Sequence, residues 1–126
     1  MDIAQAGEVA TQFIRQYVKS KNFWTPQEVI DAAAEDPDDD ESTLILCPGS
    51  IAPDPRDPEA LWIVFLCGVV IDVDALVTVN RPEQRQRVEE TLAALRQAHP
   101  ELAGTRARVS MEDVRGASGP TWTLTF

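Results

Sequence analysis

Asp36, Asp38 and Asp40 stand two residues apart, the spacing that opens a calcium-binding loop. Such a loop next needs glycine at its sixth position, for a sharp turn, and a bidentate glutamate at its twelfth. Glu41 and Cys47 occupy those positions, so the run reads as a solvated acidic loop. Zinc has no better footing. The chain has one histidine, and its two cysteines, Cys47 and Cys67, lie twenty residues apart in apolar runs. No metal and no other cofactor is expected.

Nucleophilic chemistry would need Cys47 or Cys67 to meet His99. That histidine precedes Pro100 at a helix end, where a histidine usually meets the last carbonyls and the dipole. Both cysteines read as buried, reduced, small hydrophobes. Asp72 and Asp74 share a face if they lie in a strand, and paired carboxylates can divide acid and base roles when their environments differ. An aspartate-rich turn explains them equally well. Phosphate cradles are missing, because Gly116 and Gly119 fit no glycine-rich phosphate pattern and read as hairpin glycines. The expectation is a protein without catalytic activity.

Charge is the more informative signal. The 126 residues carry a formal charge of −10. Between residues 35 and 59 nine acids face a single base, Arg56, whereas acids and bases nearly cancel elsewhere. A field of that sign repels nucleic acid and attracts cationic surfaces, most strongly at low salt. Direct nucleic-acid binding is therefore not expected, since it calls for a basic footprint. The longest apolar run, Leu61 to Ile71, has eleven residues, against about 20 for a membrane span. The first ten residues include Asp2 and Glu8 and do not resemble a signal peptide. No membrane contact and a cytoplasmic location are the expectations. Nine arginines against two lysines point to a bacterial or phage genome.

The elements that must carry these residues follow from periodicity. Ile3, Ala6, Ala10, Phe13 and Tyr17, widened by Ile14 and Val18, predict an amphipathic helix over 3–20. Thr25, Pro26 and Glu28 open a second helix with a capping box. Residues 36–42 and 48–60 are expected to be acidic, proline-rich surface loops flanking a short strand at 43–47. Leu61 to Val73 reads as a central strand, with a bulge at Gly68, followed by a strand from Leu76. Val88, Leu92 and Leu95 mark a helix over 82–98. Two period-two runs then follow. The first sends Ala107, Val109 and Met111 to one face and Arg106, Arg108 and Ser110 to the other; the second separates Trp122, Leu124 and Phe126 from Thr121, Thr123 and Thr125.

The result is one α+β domain over 1–126, with helices on one face of a mainly antiparallel sheet of about five strands, in the order ααβββαββ. Trp62 and Trp122 are expected in its core. Trp24, before the second helix, reads either as a hydrophobic staple of that helix or as an exposed anchor for a partner. The functional expectation is a non-catalytic protein-binding module, a bacterial inhibitor or immunity-type protein. Asp38, Asp39, Asp40, Glu41, Asp54, Asp57 and Trp24 would face a partner with a basic surface, such as a toxin, a nuclease or a nucleic-acid-binding protein. The element order also resembles that of the class I secretion chaperones, with a helix, three strands, a helix and two strands. That resemblance implies an adaptor that forms a homodimer and offers clients an apolar groove. A small enzyme would require a concave pocket around Asp72, Asp74, His99 or a cysteine.

Overall fold

Asp2 begins the first helix, α1 (Ile3–Ser20), by capping it. Its carboxylate accepts the Gln5 amide N–H at 2.8 Å, and the Gln5 side chain accepts the Asp2 N–H at 3.2 Å. This reciprocal box satisfies two donors that a helix start otherwise leaves open. The computed structural model describes residues 1–20, 43–70, 76–77, 82–113 and 118–126. The expected helix from Thr25, the loop 36–42 and the Asp72–Asp74 pair lie outside the described residues.

Five strands follow the helix: β1 (Thr43–Asp54), β2 (Asp57–Val70), β3 (Leu76–Val77), β4 (Arg106–Asp113) and β5 (Ser118–Thr125). A second helix, α2 (Pro82–Ala98), and a 3₁₀ turn (Pro100–Leu102) sit between β3 and β4. The sheet runs β1-β2-β4-β5, with the short β3 pairing to the end of β2. The expectation of an α+β fold holds, but the sheet is mixed. β2 and β4 pair in parallel, with Leu61 opposite Ala107 and Ile63 opposite Val109. Parallel neighbours need a long crossover, and the stretch containing α2 supplies it.

The stretch 48–60, expected to be a loop, is largely strand. β1 runs through Pro48 and Pro53 to Asp54, turns at Pro55-Arg56, and returns as β2 from Asp57. Proline is tolerated here because β1 is an edge strand, whose outer groups need no ladder partner. Pro58 precedes Ala60, where the parallel ladder to β4 starts. Register shifts lie at Gly49-Ser50, both facing Val64, and between Pro53 and Asp54 at the tip, whereas Gly68 keeps regular register with Ile45. A Cβ on Gly49 would stand 3.1 Å from both the Cγ1 and the carbonyl oxygen of Val64, a contact tight enough that one of them would have to shift.

Both helices cover one face of the sheet, and one core lies between. Ala6, Ala10, Ile14 and Val18 of α1 and Val88, Leu92 and Leu95 of α2 meet Leu61, Ile63 and Phe65 of β2 and Ala107, Val109 and Met111 of β4. Trp122 and Leu124 of β5 pack at its margin. The helices also touch through Tyr17, whose hydroxyl donates to Glu90 Oε1 at 2.6 Å. Burial, the hydrogen bond to Glu90 and the charge of Glu90 together push the Tyr17 phenol up to about 12. A raised phenol pKa favours the folded state below the unfolded value near 10 and loses that contribution as pH rises toward the folded value. Stability should thus fall between about pH 10 and 12. Tyr17 is the single tyrosine, so phenolate absorbance reports on it alone. In Glu90→Gln the absorbance midpoint should move down toward that of free tyrosine.

Candidate functional site

Strand alternation sends the remaining side chains to the face away from the helices. This face carries Ala52 and Asp54 of β1, Trp62 and Val64 of β2, Arg106, Arg108 and Ser110 of β4, and Thr121, Thr123 and Thr125 of β5. The arginine and threonine phase of β4 and β5 lies on the face away from the described helices, where Arg106, Thr121, Thr123 and Thr125 are exposed and Asp54, Val64 and Ser110 are buried. Trp62 belongs to it too, which corrects the expectation that it fills the core.

At the centre of this face is a fork-to-fork ion pair. Arg108 donates from Nε to Asp54 Oδ2 at 2.9 Å and from Nη2 to Asp54 Oδ1 at 2.8 Å. Asp54 Oδ1 also accepts the Arg56 amide N–H at 3.0 Å. The Asp54 residue is 6 % exposed, and the Arg108 side chain is 14 % exposed. The bonds from Arg108, then the one from Arg56, hold the Asp54 carboxyl below the usual carboxylate range. The Arg108 guanidinium lies 4.1 Å over the Trp62 ring, a cation–π contact that also shields the ion pair. The Trp62 indole N–H donates to Ser110 Oγ at 2.9 Å, and that oxygen sits 3.2 Å from Thr121 Oγ1. The chain Asp54–Arg108–Trp62–Ser110–Thr121 therefore crosses all four main strands.

Beside it, exposed Arg106 bonds Asp57 at 2.7 Å and reaches Glu59 at 3.6 Å. A shallow depression of about 440 Å³ opens between these arginines and Thr123 and Thr125. A second depression, about 480 Å³, lies past the hairpin tip and gathers Asp2, Glu59 and Glu101. Glu101 Oε1 lies 2.8 Å from His99 Nδ1 and accepts the N–H of the tautomer that carries its hydrogen there. The Glu101 backbone N–H and His99 hold its carboxyl low.

Comparison with family models, with curated proteins and with solved structures returns no match to this chain. The site therefore rests on its own geometry. Of the expected partner-binding residues, Asp54 and Asp57 are brought together at the hairpin tip, and both are already paired within the chain. Asp54 is nearly sealed and has no carboxylate oxygen left free of a donor. Asp57 keeps a half-open edge beside Glu59, whose side chain is 86 % exposed. Asp38, Asp39, Asp40, Glu41 and Trp24 lie outside the described residues.

His99 has Glu101 and the edge of Phe13 around its ring. Cys47 and Cys67 sit on adjacent antiparallel strands but are not register partners, as Cys47 faces Leu66 and Cys67 faces Leu46. Among the described residues no group of three or more histidine, cysteine or acidic side chains could hold a metal ion. No helix of the described chain is long and apolar enough to cross a membrane.

The residues missed in the sequence are Trp62 and Arg108 as a pair and Glu101 as a neighbour of Glu59. Arg108 had a signal, its place on the polar phase of β4. Trp62 had none, because the run from Leu61 to Leu66 is apolar at both phases. Glu101 reaches the hairpin only through the fold.

Proposed function

We propose that this chain is a non-catalytic protein-binding module of the inhibitor or immunity type, which meets a basic partner surface with its acidic stretch. One observation carries the reading. Glu59, the last acid of the 35–59 stretch, shares a depression with Asp2 and Glu101, which are far away in sequence. Carboxylates from the chain start, the hairpin and the turn after α2 thus extend the same negative field. Gathered charge of one sign raises association rates with a partner of opposite sign and weakens as salt rises. Asp38, Asp39, Asp40, Glu41, Asp57 and Trp24 remain the proposed contacts. Asp54 acts behind them by fixing the hairpin tip.

The test is capture from lysate at low and moderate salt, with the native protein beside an Asp38→Asn, Asp39→Asn, Asp40→Asn variant and a Glu59→Gln, Glu101→Gln variant. A basic protein retained by the native form, weakened by salt and lost from the first variant is the expected result. The second variant should retain it several-fold less well. Equal retention by all three forms would sink the reading.

A second reading, an adaptor similar to the secretion chaperones, is favoured by the order of the described elements: helix, three strands, helix, two strands. It calls for client binding that burial of apolar surface drives and that salt leaves largely unchanged.

A further inference from the structure

The two edges of the sheet are defended very differently. An edge strand presents unpaired N–H and C=O groups that can template another strand, and proteins blunt such edges with proline, bulges and charge. At the β1 edge, Pro48, Pro53 and the Gly49-Ser50 bulge do this. β5 forms the opposite edge. Its irregularity is confined to its start, where Gly119 and Pro120 stand opposite Met111. From Thr121 to Thr125 the strand has regular register, no proline and no charge.

Hydrogen-bond phase fixes which groups face outward. The Phe126 amide N–H donates to Thr105 O at 2.9 Å, and Phe126 O accepts the Gly104 N–H at 2.6 Å, so Phe126 is turned toward the β4 side. Antiparallel pairs alternate. Leu124 and Trp122 therefore bond inward, and Thr121, Thr123 and Thr125 send their N–H and C=O groups to the free edge. The Arg96 guanidinium confirms the phase by donating to Thr125 O at 3.1 Å from outside the ladder. Among the described residues, no strand pairs with this edge.

The exposed run is Thr-Trp-Thr-Leu-Thr. By residue class it reads the same in both directions about Thr123. A strand of that kind complements itself under a two-fold axis. Antiparallel pairing would set Thr123 against Thr123 of a second copy, each Thr121 against a Thr125, and each Trp122 beside a Leu124. The threonines would meet on the face away from the described helices and the apolar side chains on the helix face, both favourable cross-strand matches. The strand itself carries no acid in a chain of net charge −10, and the charges beside it include the Arg96 guanidinium at Thr125 O and the Arg85 guanidinium over Trp122, so no carboxylate stands on the pairing strand. Arg96 takes one lone pair of Thr125 O and leaves the second for a main-chain donor.

We propose that β5 pairs antiparallel with β5 of a second copy about Thr123, joining two sheets into one. The interface is a single strand edge, well under the size of a standard permanent contact. The dimer is accordingly concentration-dependent, with Kd in the range of about 1–100 µM. Its pairing groups are main-chain groups of β5 alone, while Asp54 and Asp57 of the hairpin tip line a depression that also reaches Thr123 and Thr125.

The experiment joins sedimentation with amide hydrogen exchange on the full chain, between about 1 and 500 µM so as to bracket that range. Mass should rise from one chain toward two. The amides of Thr121, Thr123 and Thr125 should gain protection at the high concentration, while those of Trp122 and Leu124 are protected at both. Thr123→Pro removes only an outward N–H, which an edge strand can spare. It should raise Kd about tenfold or more by deleting a reciprocal pair of bonds and keep the thermal transition cooperative. A one-chain mass throughout would overturn the proposal. So would a two-chain mass with unchanged exchange at the three threonine amides, since the copies would then meet elsewhere.

Discussion

Replacing Phe65 with alanine is expected to remove about 3–5 kcal/mol of folding stability, the usual cost of emptying a buried aromatic site. Phe65 is fully buried, stands on β2 opposite Met111 of β4 and belongs to the core shared by the sheet and the two described helices. A domain of this size has about 5–15 kcal/mol in total, so the variant should lie near the edge of folding at 37 °C. Phe13→Ala is the control. Phe13 is only partly buried and packs on the outside of the same core, so its loss should cost clearly less. Urea unfolding of the three proteins measures both values. Equal effects at the two positions would mean that the core is not centred between β2, β4 and the helices.

What the sequence revealed of this core depended on whether period and burial agreed. α1 and α2 were legible to the residue, since each has one apolar stripe, and the polar remainder leaves no second phase. β4 and β5 were legible for the same reason in period two. The hairpin was legible in its two arms, 43–47 and 61–70, but not in its tip, 48–60. Three prolines within six residues, at 53, 55 and 58, argue for an irregular loop. Pro53 is compatible with a strand because β1 lies at the sheet edge, Pro55 sits in the turn, and Pro58 comes before the ladder to β4 begins at Ala60. Edge position is a property of the topology, and no local pattern announces it. The parallel pairing of β2 with β4 was hidden likewise. Two apolar strands joined through a helix can lie adjacent or apart, and the chain carries no residue that decides between them.

The candidate site shows the same division. The polar phase of β4 and β5 announced the face turned away from the described helices, and the excess of acids announced its sign near the hairpin. Sequence counting treated Asp54 and Asp57 as equal members of one acidic run. The fold separates them: Asp54 is turned in against Arg108, and Asp57 sits at the rim against an exposed Arg106. Whether a carboxylate steers a partner or fastens a strand depends on a cation more than fifty residues away. Spacing along the chain cannot reveal such a cation.

That separation predicts opposite outcomes for two arginines two residues apart. Arg106→Ala should leave thermal stability almost unchanged, because its ion pairs are exposed and such pairs contribute little. Arg108→Ala should produce a drop approaching that of a core truncation. It strips the nearly sealed Asp54 carboxylate of its two strongest donors, and breaking a pair at one end leaves an uncompensated charge. It also takes the guanidinium off the Trp62 ring, so the indole fluorescence of the folded state should change. Acid titration supplies a check on the cause. A carboxyl held below its unfolded pKa stabilises the fold at pH values above the ordinary carboxylate range, and the contribution fades as pH falls through the folded value. The native protein should lose this contribution below about pH 4. Asp54→Asn keeps the shape and removes the titrating group, so its thermal midpoint should start lower at neutral pH and then vary less with acid. In Arg108→Ala the Asp54 carboxyl should protonate at higher pH than in the native chain, and mild acid should recover part of the lost stability, because protonation cancels the stranded charge. A variant that acid only weakens further would show that Arg108 acts through packing on Trp62 and that its bond to Asp54 adds nothing to stability.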